Sequence, residues 1–490
     1  MTTVTFANDA KSLLKGAREV LIVGPAHVLA AGPPRRILDR RRAELFKELV
    51  ANTKPADRGS VATTLAGTPQ WLKVGVLPKA GSRYNSPSRA DAIRNVVATA
   101  GLGPKGKSAI VLVLDDASHL LAAANAVGRA LPKFSLKSKP SKNRVMVLAV
   151  LADGTVLTPD AVVTATLNAA RDAAALVDTP PSDLNPERFA AEVKTVLGEL
   201  GVKVTEIAGD KLLDHGLGGI HAVGRAATTK PRLLVATYEP PADGTRGKRQ
   251  HIALVGKGIT FDTGGLHIKA RGGMEGMKAD MGGAAAVFGA FQVLVRSGSP
   301  HSVSMVLCLA ENAVSAQSYK PDDVITLHSG KTVEINNTDA EGRLVLGDGV
   351  SWAARELKAT TVIDAATLTG AQLVATGLVH AAVVSNEEGL EAAAIAAGKR
   401  SGDLAHALPF APELYAGEFR SPIADMRNSV ANRMNAQSSC AAQFVYAHLS
   451  DAPGANRRGW CHIDLAGPAF TKDRATGYGV ALISELVRSL

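Results

Sequence analysis

The chain has 490 residues, of which 46% are hydrophobic and 4% aromatic, and its 55 Lys and Arg outnumber its 45 Asp and Glu. This length predicts two domains rather than a single core. No apolar run approaches the roughly 20 residues of a membrane-spanning helix, no hydrophobic segment follows a basic start as in a secretory signal, and the three scattered cysteines lack the spacing of a disulfide framework or a thiolate metal site. We therefore expect a cytoplasmic protein without a membrane anchor.

The first 150 residues are predicted to alternate strands with helices. Short apolar runs predict strands at Val20–Val23, Leu72–Leu77, Ala109–Leu114 and Val145–Leu151. Helical spacing and composition mark residues 34–50, 90–100 and 117–131. This alternation is typical of an α/β unit of domain size.

Positive charge is concentrated in this first part. Residues 1–150 contain 24 Lys and Arg against 9 Asp and Glu, a balance of +15, whereas residues 151–490 contain 31 against 36. Arg35–Arg36 and Arg40–Arg42 share one predicted helical stretch, and residues 133–144 form a second basic stretch in a predicted loop. A basic domain can bind nucleic acid. A solvated surface or a subunit contact explains the same charge, and clustered aromatic residues that would stack on bases are lacking.

An Ala-rich helix is predicted over residues 159–178, and the proline-rich segment Pro180–Pro186 ends it. We place a domain boundary near residue 158. Residues 1–158 would then form a basic N-terminal domain, and residues 159–490 a larger domain that begins with a connecting helix.

The larger domain resumes the alternation. Apolar runs predict strands at Val202–Ile207, Arg232–Tyr238, His251–Val255, Ser302–Leu309 and Thr360–Ala365. Helices are predicted at Gly283–Arg296 and Gly347–Glu356. Because the runs are apolar without alternation, we expect strands that are covered on both faces.

Three charged residues are closely spaced in the octet Asn337–Leu344, NTDAEGRL. In an extended segment, Asp339, Glu341 and Arg343 would point to the same side, because side chains alternate along a strand. Two carboxylates held that close stay ionised only beside positive charge, and one arginine does not fully neutralise them, so a metal site explains the octet. The alternative is an exposed turn with solvated charges, but the apolar runs on both sides favour a buried setting.

A second segment, Val255–Lys269, combines an apolar strand with a predicted glycine-rich turn. The turn carries Lys257, Asp262 and Lys269 where α/β sheets bind ligands, beyond the carboxyl ends of strands, and it matches no phosphate-binding glycine motif. Asp280 follows at the predicted start of a helix. With the two acids of the octet this makes four carboxylates, which suit two adjacent divalent ions. An oxygen-rich ligand set without Cys or a His cluster favours Zn, Mn, Mg or Co.

Both segments resemble signature segments of one enzyme family. The octet NTDAEGRL and the segment Val255–Gly265, VGKGITFDTGG, are similar to those of the leucine aminopeptidase family, also called cytosol aminopeptidases or M17 metallopeptidases. The resemblance covers nearly all of residues 160–490, whereas the family varies in the basic first part. It implies an α/β protein in which an N-terminal α/β domain is joined by a helix to a larger C-terminal α/β catalytic domain with a central mixed sheet flanked by helices. It also implies a metal-dependent leucyl aminopeptidase that releases N-terminal residues, preferably Leu or Met, from peptides.

The resemblance implies two metal sites per subunit, with Mn or Zn as the ions. The tighter site would have four ligands: Lys257, Asp262, Asp280 and Glu341. The more exchangeable site would have three: Asp262, Asp339 and Glu341. A lysine ligand must be a neutral amine, and we expect burial and two dications to lower its pKa enough.

The resemblance also implies catalytic and substrate-binding roles. A water that bridges the two ions would attack the first peptide bond, and Lys269 would stabilise the oxyanion. Arg343 would hold a bicarbonate ion that relays the proton to the leaving amine. The pocket for the first side chain would be formed by Met277, Thr367, Leu368 and Gly370.

Three further hypotheses follow. The resemblance implies a homo-hexamer with peptide substrates as its partners. DNA binding through the basic N-terminal domain is a second hypothesis, motivated by its balance of +15; in the family that the chain resembles, some bacterial members combine DNA binding with peptidase activity. A two-metal phosphoesterase is an alternative of another class, although such sites usually draw on His ligands as well.

Overall fold

A computed structural model describes residues 1–34, 37–241 and 249–490. Within these ranges no helix is long and apolar enough to cross a membrane. The chain forms two compact units, and the first comprises Met1–Asp172 with Gly398–Leu404. The second comprises Ala173–Ala397 with Ala405–Leu490. The domain boundary near residue 158 stays a prediction.

The first unit is built on one sheet. Its strands are β1 (Thr3–Phe6), β2 (Glu19–Pro25), β3 (Ser60–Leu65), β4 (Trp71–Leu77), β5 (Lys105–Leu114), β6 (Lys142–Leu151) and β7 (Val156–Leu157). Its helices are α1 (Ala10–Leu14), α2 (Ala26–Leu29), α3 (Arg40–Ala51), α4 (Ala90–Thr99) and α5 (Leu120–Ala130). The strand order is β1-β6-β5-β2-β4-β3, with β7 beside β6. All pairings are parallel except those of β3 and β7.

The strands of this sheet are covered on both faces. Leu21 and Ile110 belong to one apolar cluster, whereas Ile22 and Val111 belong to another on the opposite side. This burial explains the continuous apolar runs of the sequence. Of the predicted basic helix, Arg40–Arg42 begin α3, and Arg35–Arg36 lie outside the described residues.

The second unit contains the longer part of the chain. Helix α6 (Ala161–Asp178) leads into it, and the further helices are α7 (Pro186–Glu199), α8 (Lys211–Asp214), α9 (Gly218–Gly224), α10 (Gly282–Ser297), α11 (Gly342–Arg355), α12 (Gly370–Ala375), α13 (Glu388–Ser401), α14 (Pro412–Tyr415), α15 (Gln437–Ala447) and α16 (Val480–Arg488). Its strands are β8 (Val204–Ala208), β9 (Arg232–Tyr238), β10 (His251–Asp262), β11 (Ser302–Asn312), β12 (Val324–Thr326), β13 (Thr332–Glu334), β14 (Thr361–Ala366), β15 (Ala381–Ser385), β16 (Ala405–Ala407), β17 (Met426–Arg427), β18 (Gly459–Asp464), β19 (Phe470–Thr471) and β20 (Arg474–Ala475).

A mixed sheet lies at the centre of this unit. In the described part of the chain its order is β16-β15-β18-β14-β10-β11-β9-β8. The four inner strands β18, β14, β10 and β11 run parallel to one another. The pairings β8–β9, β9–β11 and β15–β18 are antiparallel, and β16 pairs parallel with β15. Helix α10 packs on one face of the sheet, where its Ala284 contacts Gly256 of β10. Helix α11 packs on the other face, where its Gly349 contacts Val255 of β10. The predicted α/β fold with a central mixed sheet flanked by helices is confirmed.

Three local predictions are wrong. The octet Asn337–Leu344 is not extended, because a turn precedes Glu341 and Glu341 is the N-cap of α11. That helix therefore begins five residues before the predicted Gly347. Lys257 lies within β10 rather than in a turn, and the strand continues to Asp262.

Candidate metal centre

Strand ends and helix starts bring the candidate residues to one edge of the central sheet. Lys257 and Asp262 lie on β10, and Asp262 is its last residue, opposite Asn312 of β11. Asp280 lies in a short 3-10 helix that leads directly into α10. Glu341 stands at the start of α11 on the other face. The carboxyl ends of parallel strands and the helix starts beyond them are where such sheets bind ligands.

Three of these carboxylates form a compact buried cluster. Asp262, Asp280 and Glu341 each place one oxygen within 4.8 Å of the others, and the residues are 3%, 7% and 2% exposed. Oδ2 of Asp280 and Oε2 of Glu341 have no hydrogen-bond partner among the described residues. Burial raises the pKa of Glu341, and repulsion from Asp262 adds to the shift. Buried carboxylate oxygens without partners are costly unless a cation binds, so the cluster fits a divalent metal ion.

Lys257 lies against the cluster. Its Nζ is 2.7 Å from Oδ1 of Asp280 and 2.9 Å from Oε1 of Glu341, and it donates to the Thr367 carbonyl at 2.9 Å. Burial alone would lower the pKa of Lys257, but the two carboxylates outweigh burial and raise it above its ordinary value. The neutral amine that a lysine ligand requires therefore depends on cations beside those carboxylates.

Lys269 joins Asp262 to the fourth acid. Its Nζ is 2.7 Å from Oδ2 of Asp262 and 2.6 Å from Oδ1 of Asp339. The Asp339 side chain is 37% exposed, so this acid lies on the solvent side of the cluster. Burial would lower the pKa of Lys269, but Asp262 outweighs burial and raises it. The side chain is therefore a firmly held cation at the open edge of the site.

Arg343 does not form an ion pair with the acids of its octet. Its Nη1 donates to the Asn428 carbonyl at 2.9 Å, and the guanidinium lies 6.0 Å from the centre of the Phe444 ring. Burial lowers the pKa of Arg343 to about 10. Its Nε is buried and without a hydrogen-bond partner among the described residues. A buried cation with a donor to spare is suited to an anionic partner.

The predicted pocket residues lie beside Lys257 and Asp280. Thr367 contacts both, because its carbonyl accepts from Lys257 and its Oγ1 donates to Oδ1 of Asp280 at 2.8 Å. Met277 begins the 3-10 helix that carries Asp280 and is half-buried. Leu368 and Gly370 follow Thr367, half-buried and exposed respectively. The structure thus places these residues on segments that adjoin the acidic cluster.

Sequence reasoning did not find several residues that hold the site. Asn312 donates to Oδ1 of Asp262 at 2.8 Å and to the Thr338 carbonyl at 3.1 Å. Asn428 donates to the Asn337 carbonyl at 2.6 Å. Asp464 accepts from the Leu368 N–H at 3.1 Å. Asn312 and Asp464 are the last residues of β11 and β18, and a polar residue that ends an apolar strand could have marked both.

Comparisons with known proteins give matches over nearly the whole chain. A family model described as the catalytic domain of the cytosol aminopeptidase family matches residues 170–484. A second model, described as M17 aminopeptidase N-terminal domain 2, matches residues 18–140. Probable aminopeptidase NPEPL1 of Mus musculus is 44% identical over 461 residues, which is 92% of this chain and 85% of that protein.

Solved structures extend the likeness to the whole fold. Leucine aminopeptidase LAP1 of Caenorhabditis elegans matches with a TM-score of 0.89 at 36% identity, covering 99% of this chain and 98% of that chain. The bottromycin maturation enzyme BotP, solved in complex with Mn, matches with a TM-score of 0.78 at 28% identity, covering 96% and 99%.

Proposed function

Because the chain belongs to the cytosol aminopeptidase family and is a metal-dependent aminopeptidase, we propose that two divalent ions bind at the cluster of Asp262, Asp280 and Glu341. The observation that carries this proposal is the pair of buried carboxylate oxygens, on Asp280 and Glu341, that lack partners among the described residues. Lys257 completes the tighter site and Asp339 the more exposed one. When bound, the ions would polarise the scissile carbonyl as Lewis acids and would lower the pKa of a water enough to supply a hydroxide nucleophile near neutral pH.

Lys269 stabilises the negative charge that develops on the carbonyl oxygen. Its ammonium is fixed by Asp262 and Asp339 at 2.7 and 2.6 Å, so little reorganisation is needed as the charge appears. Donors oriented in advance are what make such stabilisation effective. Asp262 raises the pKa of Lys269 against the effect of burial, which favours its cationic form.

Arg343 would hold a bicarbonate ion, which when bound would supply the base and acid for proton transfer from water to the leaving amine. Support comes from its buried guanidinium, whose Nε has no partner among the described residues. The carbonyl of Asn428 and the ring of Phe444 fix the orientation of the guanidinium. If catalysis depends on an anion bound from solution, the protein should lose activity in bicarbonate-free buffer and regain it when bicarbonate is added.

Met277, Thr367, Leu368 and Gly370 form the pocket for the first side chain, with Leu or Met preferred. Apolar pockets discriminate weakly, by about 1–3 kcal/mol per methylene. We therefore propose graded rather than absolute selectivity. Mn or Zn is the proposed metal, since an oxygen-rich site with one amine suits both.

A panel of aminoacyl p-nitroanilides tests these proposals. The chelated protein should be inactive, Mn²⁺ or Zn²⁺ should restore hydrolysis, and Leu and Met substrates should be cleaved faster than Ala or Glu substrates. N-acetyl-leucine p-nitroanilide is the matched control and should not be cleaved. Full activity after exhaustive chelation, or cleavage of the acetylated substrate, would contradict the site assignment.

We also propose a homo-hexamer in the cytoplasm. Several large apolar side chains of the second unit are exposed, among them Val374, Leu414, Ile423 and Met434. The three free cysteines are buried, which suits a reducing compartment. Light scattering should give six times the 50.7 kDa chain mass, and a monomer at micromolar concentration would contradict the hexamer.

DNA binding is a second candidate function, favoured by the +15 balance of residues 1–150. Reversing the charge of two exposed lysines, with K137E and K139E, should weaken retention of a DNA duplex. K211E reverses the charge of an exposed lysine in the second unit and is the control. Retention that survives competitor DNA would support specific binding. Retention that disappears with competitor and modest salt would reflect a basic surface alone.

A further inference from the structure

The peptide bond between Thr367 and Leu368 joins two parts of the second unit. Its carbonyl accepts a hydrogen bond from Nζ of Lys257 at 2.9 Å. Its N–H donates to Oδ1 of Asp464 at 3.1 Å. In a planar trans peptide the C=O and N–H point in opposite directions. A shift of the N–H toward or away from Asp464 therefore rotates the carbonyl that holds Lys257.

Asp464 is built to fix this peptide. It is the last residue of β18 and is 1% exposed. Its Oδ2 accepts from Oγ1 of Thr369 at 2.7 Å, and Thr369 also contacts Oγ of Ser438 at 2.8 Å. One carboxylate thus holds the segment that follows β14 at two points and connects it to the start of α15.

The strand that carries Asp464 is itself anchored. Nδ1 of His462 lies 2.5 Å from Oδ1 of Asp364, and Nε1 of Trp460 donates to Oδ2 of the same carboxylate at 2.8 Å. His462 and Asp364 face each other in the register of β18 and β14. Burial raises the pKa of the Asp464 carboxyl, and the neighbouring His462 opposes that shift only in part.

We propose that Asp464 is a positioning residue for the tighter metal site, acting on Lys257 through the single peptide plane of Thr367 and Leu368. This rests on the proposed function, in which Lys257 and Asp280 are ligands. Asp464 touches neither the acidic cluster nor Lys257 among the described contacts, so its effect passes through the Thr367–Leu368 segment. The same segment donates from Oγ1 of Thr367 to Asp280, so both ligands depend on its placement.

The test is Mn²⁺ affinity measured by titration calorimetry on the full chain. Partners that orient metal ligands typically contribute about 10–100-fold in affinity. D464A should weaken Mn²⁺ binding at the tighter site by at least about tenfold. D464N keeps one oxygen for the Leu368 N–H and should bind Mn²⁺ with intermediate affinity, so the measurement remains decisive if the alanine variant folds poorly.

D348A is the matched control. Asp348 is also a fully buried carboxylate, and it accepts from the backbone N–H groups of Ile220 and His328 at 2.8 Å each. D348A should lower the melting temperature as much as D464A does, yet leave Mn²⁺ affinity within about twofold of the wild type.

Two results would overturn the inference. Wild-type Mn²⁺ affinity in D464A and D464N would show that Asp464 does not act on the site. Equal loss of affinity in D348A and D464A would show a general effect of core disruption. A wild-type chain that binds no divalent ion would instead refute the proposed function.

Discussion

Replacing Gly342 by alanine should impair catalysis far more than folding. Gly342 is the first residue of α11, next to the cluster residue Glu341. A Cβ at this position would lie 2.6 Å from both Cε and Nζ of Lys257. Ordinary contact begins near 3.4 Å, so the lysine end must move by about 0.8 Å or more.

The end of Lys257 has little room to move. Its Nζ is held by Asp280, Glu341 and the Thr367 carbonyl at 2.7 to 2.9 Å, and the residue is 3% exposed. A misplacement of about 1 Å in such a site costs on the order of 10²-fold in rate. Overpacking costs about 1–3 kcal/mol, and replacing glycine by alanine in a helix returns about 0.5–1 kcal/mol. The net loss of stability is therefore small beside the loss of activity.

Hydrolysis of leucine p-nitroanilide and Mn²⁺ titration of G342A measure both effects. We expect kcat/KM to fall by about two orders of magnitude with a melting temperature within a few degrees of the wild type. G198A in α7 is the control, because its Cβ would meet nothing within 4 Å, and it should keep full activity. Normal Mn²⁺ affinity and rate in G342A would refute the placement of Lys257 as a ligand.

E341Q should lower kcat by at least about 10²-fold. The melting temperature of the chelated protein should not fall, because the change removes a buried carboxylate whose Oε2 lacks a partner among the described residues. Wild-type activity in E341Q would show that Glu341 is not a metal ligand. K269Q should lower kcat by about 10²–10³-fold with a smaller change in KM, and a loss confined to KM would assign Lys269 to binding alone. His448 is buried and hydrogen-bonded to Ser329, and burial lowers its pKa to about 3. The unfolded chain therefore binds a proton that the folded chain does not, and stability is lost as pH falls from 6.5 toward 3. H448Q should lose less melting temperature than the wild type between pH 7 and 4.5, and parallel curves would contradict this.

The positions of the central strands could be predicted from the sequence because these strands are buried on both faces. Strands β5 and β11 contain the continuous apolar runs Ala109–Leu114 and Met305–Ala310, and this burial on both faces makes them recognisable as strands. Burial also explains why the start of α11 was misplaced. Nearly every residue of α11 is buried, so the helix lacks the polar stripe from which a helical period is read. The acids before it were therefore assigned to an extended segment.

The glycine beside Lys257 predicts a turn, whereas the structure has a strand there. Gly256 follows an apolar run and suggested a turn, but it lies within β10. A Cβ there would lie 2.6 Å from Cα of Ala284. The glycine thus permits α10 to pack closely on the strand, a use of strand glycines that sequence alone does not distinguish from a turn.

The candidate ligands could be named from three short segments, Val255–Lys269, residues 277–283 and Asn337–Leu344. The contacts that orient them could not. Asn312 reaches Asp262 across 50 residues, and Asp464 reaches Leu368 across 96. Such contacts depend on which strands become neighbours in the sheet. A local pattern carries no information about that pairing, so the second set of residues emerged only from the fold.

Anomalous diffraction from crystals soaked in Mn²⁺ tests the central claim most directly. We expect two anomalous peaks, one contacted by Asp280 and Glu341 with Lys257 and one on the side of Asp339, and we expect loss of the first in E341Q. Peaks at any other position in crystals of active protein, with none at the acidic cluster, would contradict the account.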